Sequence, residues 1–264
     1  MANVLAIVNR KGGVGKTTTA VNLGAALAHS GYRVLLVDMD PSGDLSNHTG
    51  VELADGDLTV YEIITAGADV HSAIRTIQNE RTGTAYSVIP ADGALENLDE
   101  TIPHERLRDA LQTVAGDYDY IILDAQPTLG YPTAHVLTAA DSALIPTGAN
   151  YLAVDAVNAT IGVIHDVQAN LNPSLEVAGV LLTQYNPRIT HQRAVRDAIA
   201  DALPGHVLDV YTSTATAVQE AAAAGVDLYE YIARNRTRKH TRAAGQYTDL
   251  AQTIAERSTA SGEK

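Results

Sequence analysis

The sequence contains Lys11-Gly12-Gly13-Val14-Gly15-Lys16-Thr17-Thr18, a glycine-rich loop whose flanking segments indicate the fold. A short apolar run, Val4–Val8, precedes it, and Thr17–His29 follows as an Ala- and Leu-rich segment of helical character. A glycine-rich loop between a strand and a helix can bind phosphate oxygens through its N–H groups, beside the positive end of the helix dipole. We therefore expect Lys16 to reach the β- and γ-phosphates of a nucleotide and the Thr17 hydroxyl to ligate Mg²⁺. The alternative, a turn without a ligand, explains neither side chain.

Short apolar runs alternate with helical patterns along the rest of the chain. The apolar runs are Val34–Val37, Tyr86–Ile89, Tyr120–Leu123, Ala143–Ile145, Val177–Leu182 and, more weakly, Val207–Val210, and the helical patterns are Glu105–Val114, Ala153–Leu171, Arg193–Leu203 and Ala215–Ala224. This alternation predicts an α/β fold, a mostly parallel twisted sheet with helices on both faces. We expect residues 1–257 to form a single domain and residues 258–264, which are small and polar, to form a flexible tail.

Composition excludes several classes of protein. The 264 residues include no cysteine, which rules out disulfides, thiolate metal sites, iron–sulfur clusters and cysteine nucleophiles. The formal net charge of −13 suits ordinary solubility or, because only four residues are lysines, a salt-rich cytoplasm. It argues against a protein that coats nucleic acid with its whole surface, but it permits a local basic patch. No apolar stretch is long enough to cross a membrane and no signal-peptide pattern is visible, so we expect a cytoplasmic protein without a membrane partner.

Aspartates stand at the ends of two other predicted strands. Asp38 and Asp40 follow Val34–Val37, and Asp124 follows Tyr120–Leu123. Because the carboxyl ends of parallel strands share one edge of a sheet, these side chains should lie beside the glycine-rich loop. A carboxylate near Mg²⁺ stays ionised and can orient a water molecule. Alternatively, each aspartate only caps the turn after its strand.

The two lysines of the glycine-rich loop carry a resemblance to a known family. Arg10 stands where an ordinary phosphate loop has its first glycine, and Lys11 is an addition to the ordinary pattern. In both respects the loop resembles the deviant Walker A family of P-loop ATPases, which includes the ParA and Soj partition ATPases, MinD and the nitrogenase iron protein. The resemblance implies a P-loop NTPase fold that binds ATP and Mg²⁺ along residues 11–18.

In that family the first lysine reaches across a homodimer to the partner's nucleotide. Lys11 is the matching residue, so the resemblance makes both Lys11 and Lys16 catalytic. A cation delivered from a second chain can offset charge on the transferring phosphoryl group, as an arginine finger does. The alternative is that Lys11 is a solvated loop lysine.

The aspartate loops resemble the same family. By that resemblance Asp40 positions or activates the attacking water, Asp38 supports the Mg²⁺ shell, and Asp124 ends a Walker B strand and holds Mg²⁺ through water. Two loops depart from the family pattern: Asp40-Pro41-Ser42-Gly43-Asp44 replaces Asp-Pro-Gln-Gly-Asn, and Asp124-Ala125-Gln126-Pro127 replaces Asp-x-Pro-Pro. These departures concern how the loops report the γ-phosphate rather than whether nucleotide binds.

Later segments favour the ParA and Soj branch of the family. Gly179–Arg188 resembles the run Gly-Val-Leu-Leu-Thr-x-Tyr-Asp-x-Arg, and Gly245–Ala251 resembles the final Gly-x-x-Tyr-x-x-Leu-Ala helix. The nitrogenase iron protein needs cysteines, which this chain lacks. MinD needs a basic amphipathic helix at its C-terminus, and residues 258–264 do not form one.

A basic cluster lies between residues 234 and 242 of this acidic chain. It comprises Arg234, Arg236, Arg238, Lys239, His240 and Arg242, without an acidic residue among them. Its position resembles that of the residues with which partition ATPases bind DNA non-specifically, through phosphate contacts. Arg188, Arg193 and Arg196 could extend it. The alternative is a solvated loop whose charges pair with nearby acids.

Taken over the whole chain, the resemblance implies a ParA-like ATPase that forms an ATP-dependent sandwich dimer and binds DNA non-specifically on the nucleoid. It would hydrolyse ATP weakly alone and faster with a separate ParB-like or other adaptor protein, and so segregate or position DNA or another cargo. Two other functions stay open. One is a MinD-like nucleotide-gated organiser of a surface or membrane, and the other is a P-loop metabolic ligase that consumes ATP only with a small-molecule acceptor.

Overall fold

The computed structural model describes residues 1–128, 130–235 and 241–262. Within these residues eight strands form one sheet: β1 (Asn3–Ile7), β2 (Val34–Met39), β3 (Arg75–Gln78), β4 (Ala85–Ile89), β5 (Tyr120–Ala125), β6 (Ser142–Gly148), β7 (Glu176–Thr183) and β8 (Val207–Tyr211). Their order across the sheet is β3-β4-β2-β5-β1-β6-β7-β8. All neighbouring strands are parallel except β3 and β4. Each predicted apolar run overlaps one of the parallel strands, which confirms the predicted α/β class.

Helices connect the strands and cover both faces of the sheet. In the described residues they are α1 (Lys16–His29), α2 (Asp44–His48), α3 (Val60–Ala66), α4 (Val70–Ala73), α5 (Glu105–Gln112), α6 (Tyr131–Ala139), α7 (Ala153–Asn170), α8 (Thr190–Ala202), α9 (Thr216–Ala223), α10 (Leu228–Asn235) and α11 (Thr241–Gly262), with a 3-10 turn at Gly93–Asn97. The segment 258–262, which we expected to form a flexible tail, has helical backbone and belongs to α11. None of the helices in the described ranges combines the length and the apolar character that a membrane crossing requires.

Buried side chains form two clusters, one on each face of the sheet. Along β1, Leu5 and Ile7 belong to one cluster and Ala6 to the other, as the alternation of side chains along a strand requires. Helices α1, α10 and α11 contribute to the first cluster, and α3, α5, α6, α7 and α8 to the second. With both faces covered, the carboxyl edge of the sheet is left for a ligand site.

Candidate functional site

The glycine-rich loop joins β1 to α1 with a backbone that requires glycine. Gly13 and Gly15 have φ angles of 71° and 82°, a region that residues with a side chain rarely adopt. The Thr183 hydroxyl, at the end of β7, donates a hydrogen bond to the Val14 carbonyl (2.7 Å). A loop of this shape at the start of a helix is a cradle for phosphate oxygens.

A second polar side chain fixes where the loop begins. Asn9 is buried, and its Nδ2 donates to the Pro146 carbonyl in β6 (2.8 Å) while its Oδ1 accepts from the Lys11 N–H (2.9 Å). The loop is thus anchored to β6 through Asn9 and to β7 through Thr183. The sequence analysis missed both residues, because their partners are far away along the chain.

Lys16 opens α1 and is almost fully buried. Burial lowers the pKa of its ammonium group, and nearby carboxylates act in the opposite direction. These carboxylates are Asp124, Asp40 and Asp44. The structure therefore brings Lys16 together with both of the predicted aspartate loops.

Asp124 lies in β5 and is fully buried. Within the described part of the chain, neither of its carboxylate oxygens has a hydrogen-bond partner of good geometry. Burial raises the pKa of Asp124 well above its ordinary value, and the charge of Asp38 adds to the effect, whereas Thr17 and Lys16 lie close enough to oppose it. A buried carboxylate without firm partners fits a place where a cation binds.

Asp38 is buried in β2, in register with Asp124, and the protein already uses both of its oxygens. Oδ1 accepts the Asp40 N–H (3.1 Å), and Oδ2 accepts the N–H (3.0 Å) and the hydroxyl (2.8 Å) of Ser46 in α2. Burial raises the pKa of Asp38 to about 6, although the Ser46 hydrogen bonds oppose this. Asp38 therefore holds the turn between β2 and α2, and its part in the Mg²⁺ shell stays a prediction.

Asp40 is more accessible than the other two aspartates. Its Oδ1 accepts the N–H (3.0 Å) and the hydroxyl (2.8 Å) of Ser42. Among the described residues its Oδ2 accepts no hydrogen bond. The turn thus orients the Asp40 carboxylate and leaves one oxygen able to bind a water molecule.

The side chains at this edge fit a Mg²⁺ ion that is shared with phosphate. In the ranges that the structure describes, no three His, Asp or Glu side chains are grouped to hold a metal by themselves. Mg²⁺ characteristically keeps several waters and binds through one or two carboxylates together with substrate phosphates. Thr17 and Asp124 lie next to each other and would supply the protein's part of such a shell.

Lys11 has a different partner from Lys16. Its Nζ donates to Oδ1 of Asn150 (2.7 Å), which lies in the turn after β6. Because β1 lies between β5 and β6, Asn150 and Asp124 flank the glycine-rich loop on opposite sides. Lys11 is therefore held away from the carboxylates that surround Lys16.

A cleft opens beside the glycine-rich loop at the ends of β7 and β8. Its inner part has a volume of about 160 Å³ and is lined by Gly15 and Thr18 of the loop, by Gln184 after β7 and by Ser213 after β8. A wider part of about 640 Å³ adjoins it and reaches Arg242. The cleft lies where a nucleotide's base and ribose would extend from the phosphate cradle. The sequence could not assign base-contacting residues, because the two strand ends are separate along the chain.

Most of the basic cluster lies outside the described residues. Arg236, Arg238, Lys239 and His240 belong to this part, and their role in DNA binding stays a prediction. Arg242 is in the first turn of α11 and lines the wide part of the cleft. Of the residues that could extend the cluster, Arg196 in α8 forms an ion pair with Asp197 (3.2 Å).

Arg234 is partly engaged within the protein. Its Nε donates to Oε1 of Glu230 (2.8 Å), and Glu230 is fully buried. Glu230 also accepts the N–H groups of Arg81 and Thr82, which connect α10 to the turn after β3. Arg234 thus neutralises a buried carboxylate, so its contribution to a DNA surface is smaller than the sequence suggested.

Comparison with known proteins gives consistent results. A family model described as an AAA domain matches residues 2–177. The sporulation initiation inhibitor protein Soj of Bacillus subtilis is 38% identical over 256 residues, which are 97% of this chain and 99% of that protein. The chromosome partitioning protein ParA of Caulobacter vibrioides is 36% identical over 235 residues, which are 86% of each chain.

The fold also matches a solved structure. Cobyrinic acid a,c-diamide synthase from Mycobacterium smegmatis superposes with a TM-score of 0.78 at 32% identity, covering 96% of this chain and 93% of that one. The same protein has been solved with bound ADP and magnesium, and that structure superposes with a TM-score of 0.76 at 33% identity, covering 92% and 96%.

Proposed function

Because the chain belongs to the ParA and Soj family of deviant Walker A ATPases, we propose that it binds ATP with Mg²⁺ and closes into a sandwich dimer. The dimer binds DNA without sequence preference and hydrolyses ATP when an adaptor protein stimulates it, in the cytoplasm and on the nucleoid. The observation that carries the proposal is the separation of the two loop lysines. Lys16 is buried near carboxylates, whereas Lys11 is bonded to Asn150 on the other side of the loop.

Each site residue has a task in this proposal. The N–H groups of the glycine-rich loop and Lys16 bind phosphate oxygens. Thr17 and Asp124 hold Mg²⁺, which when bound supplies positive charge against the phosphates. Asp40 orients a water molecule toward the γ-phosphate. Lys11 has no task at its own phosphates that Lys16 lacks, which supports a task at the nucleotide of a second chain.

The DNA-binding part of the proposal rests on the basic cluster. One patch of about four or five phosphate contacts binds weakly at physiological salt. Two such patches held on one dimer gain from effective concentration, so dimerisation alone can switch binding on. ATP then controls DNA binding although the basic cluster does not contact ATP.

A mobility shift with and without ATP tests this part. The wild type is compared with a variant carrying Arg236→Ala, Arg238→Ala and Lys239→Ala, and with an Arg106→Ala, Arg108→Ala control on α5. We expect ATP-dependent binding by the wild type and the control. The triple variant should lose binding and reduce the salt dependence of log K by about three contacts' worth. Equal binding by all three proteins would place the DNA site elsewhere, and no binding by the wild type at low salt would favour the surface-organiser function.

A second candidate function is an ATP-dependent ligase. One observation favours it: the M. smegmatis protein that shares the fold at 32% identity is named a diamide synthase. A ligase would consume ATP only when a carboxylate acceptor and an amine donor are both present. ATP turnover that appears with such acceptors and not with DNA and an adaptor would support this function against the first.

A further inference from the structure

Asn150 is the one residue that contacts the Lys11 ammonium group in the described part of the chain. We infer that Asn150 is a positioning residue: it holds Lys11 in the free chain and releases it when two chains close on ATP. This inference rests on the proposed ATP-dependent dimer. It adds to that proposal a specific bond that dimerisation must break.

The backbone of Asn150 is fixed on both sides. Its N–H donates to the Gly148 carbonyl (2.8 Å), and its carbonyl accepts the N–H of Ala153 at the start of α7 (2.9 Å). The side-chain Oδ1 accepts Lys11 Nζ (2.7 Å) and also the N–H of Leu152 (3.3 Å). The amide oxygen therefore occupies a defined place before Lys11 binds to it, and little side-chain freedom is lost on the asparagine side.

The site gives a reason to restrain Lys11. Its long side chain carries a mobile charge, and the carboxylates of Asp40 and Asp124 lie on the other side of the same loop. An unrestrained Lys11 would be attracted toward them and compete with Lys16. A neutral amide holds the ammonium by one charge-assisted hydrogen bond, which the greater charge of a phosphate can replace. An aspartate at this position would hold Lys11 as an ion pair and release it less readily.

The first test measures the hold directly, without nucleotide. The chain has only four lysines, so the acylation rate of each amine can be followed by mass spectrometry in the intact fold. We expect Asn150→Ala to raise the acylation rate of Lys11 by about threefold to tenfold and Asn150→Asp to lower it. Lys16 is the internal reference. Asn170→Ala, at the exposed far end of α7, is the matched control and should change neither rate.

The second test measures release. With ATP and Mg²⁺, the dimer dissociation constant should fall several-fold in Asn150→Ala and rise several-fold in Asn150→Asp, while ATP affinity stays within about twofold. In a Lys11→Arg background, whose longer planar head bonds differently, these changes should shrink.

The two tests separate the inference from the function on which it rests. Unchanged acylation of Lys11 in both Asn150 variants would refute the hold, whatever the dimer does. Altered acylation with an unchanged dimer constant would refute release as a step of dimerisation. If the wild type does not dimerise with ATP, the proposed function fails, and the acylation rates still decide whether Asn150 holds Lys11.

Discussion

At the residue scale, Lys16 and Asp124 share a buried region in which either charge alone would be costly. Burial lowers the pKa of Lys16 and raises the pKa values of Asp124 and Asp38, so the ligand-free site favours neutral forms. For Asp38 the sign is clear: its protonated form stabilises the fold fully below pH 4, and this contribution is lost as the pH rises through about 6. We infer that the free site is strained electrostatically until cation and phosphate bind together.

The Asp40 carboxylate gives the first prediction. Asp40→Ala should bind ATP and dimerise but lose about 100-fold or more in stimulated hydrolysis, because the water loses its orienting oxygen. Ser42→Ala removes only the groups that orient Asp40 and should lose much less. Phosphate release with a saturating adaptor measures both variants. Turnover of Asp40→Ala near that of the wild type would show that another group orients the water.

Residue-scale prediction from the sequence was strong where the chemistry is local. The glycine-rich loop places its glycines, Lys16 and Thr17 within eight consecutive residues, so their sequence alone indicates a phosphate cradle. The bond between Lys11 and Asn150 spans 139 positions and could not be derived in this way. Asp38 is intermediate, because its place was predictable but its hydrogen bonds to Ser46 depend on the fold of α2.

At the element scale, α2 follows the Asp40 turn and contacts the turn between α9 and α10 through backbone. Gly50, with φ 71°, has no room for a side chain, since a Cβ there would lie 2.7 Å from the Gly225 carbonyl oxygen. Gly56 has a similar φ of 87°, and nothing lies within 4 Å of its Cβ position. The two glycines therefore separate the effect of backbone conformation from the effect of this contact.

The second prediction uses this pair. Gly56→Ala should lower the free energy of unfolding by about 1 kcal/mol, which is the cost of a positive φ in alanine. Gly50→Ala should cost about 2–4 kcal/mol, because α2 must also move away from Gly225. Urea unfolding measures both. Equal costs for the two variants would mean that the contact between α2 and the turn before α10 adds nothing to stability.

Helix α6 gives the third prediction. His135 is fully buried in it against the rings of His104 and Tyr131, and neither ring nitrogen of His135 has a hydrogen-bond partner among the described residues. Burial, with a smaller contribution from His104, lowers the pKa of His135 to about 4. Its neutral form thus stabilises the fold fully above pH 6.5, and this contribution is lost as the pH falls toward 4.

His135→Leu should therefore lose less stability than the wild type between pH 6.5 and pH 4, by at most about 3 kcal/mol. The opposite trend from Asp38 is present in both proteins and cancels in the comparison. His191→Gln, an exposed change in α8, is the control and should follow the wild type. Parallel curves for wild type and His135→Leu would contradict the prediction.

Element-scale prediction from the sequence succeeded for long or strongly apolar segments. The predicted helices α5, α7, α8 and α9 lie within three residues of the observed bounds at either end. The short helices α2, α3 and α4 and the edge strand β3 were not predicted, because four to seven residues do not show a clear period. Tertiary contacts rather than local propensity hold such short elements in place.

At the scale of the whole molecule, the site is divided across the sheet. Asp38 and Asp124 lie on the β2 and β5 side of the glycine-rich loop, and the cleft lies on the β7 and β8 side. The two loop lysines follow the same division, with Lys16 near the carboxylates and Lys11 at the turn after β6. Parallel topology made this shared edge predictable from the sequence, whereas the side of the loop that Lys11 occupies required the structure.

The measurement that tests the account most directly is the mass of the full chain by light scattering, with and without ATP and Mg²⁺. The wild type should double its mass with ATP. Lys11→Ala should bind ATP in calorimetry with nearly wild-type affinity and keep the mass of one chain, because only the contact to the second nucleotide is lost. Lys16→Ala should neither bind ATP nor dimerise. A Lys11→Ala protein that dimerises with ATP as the wild type does would contradict the central claim that Lys11 acts on a partner's nucleotide.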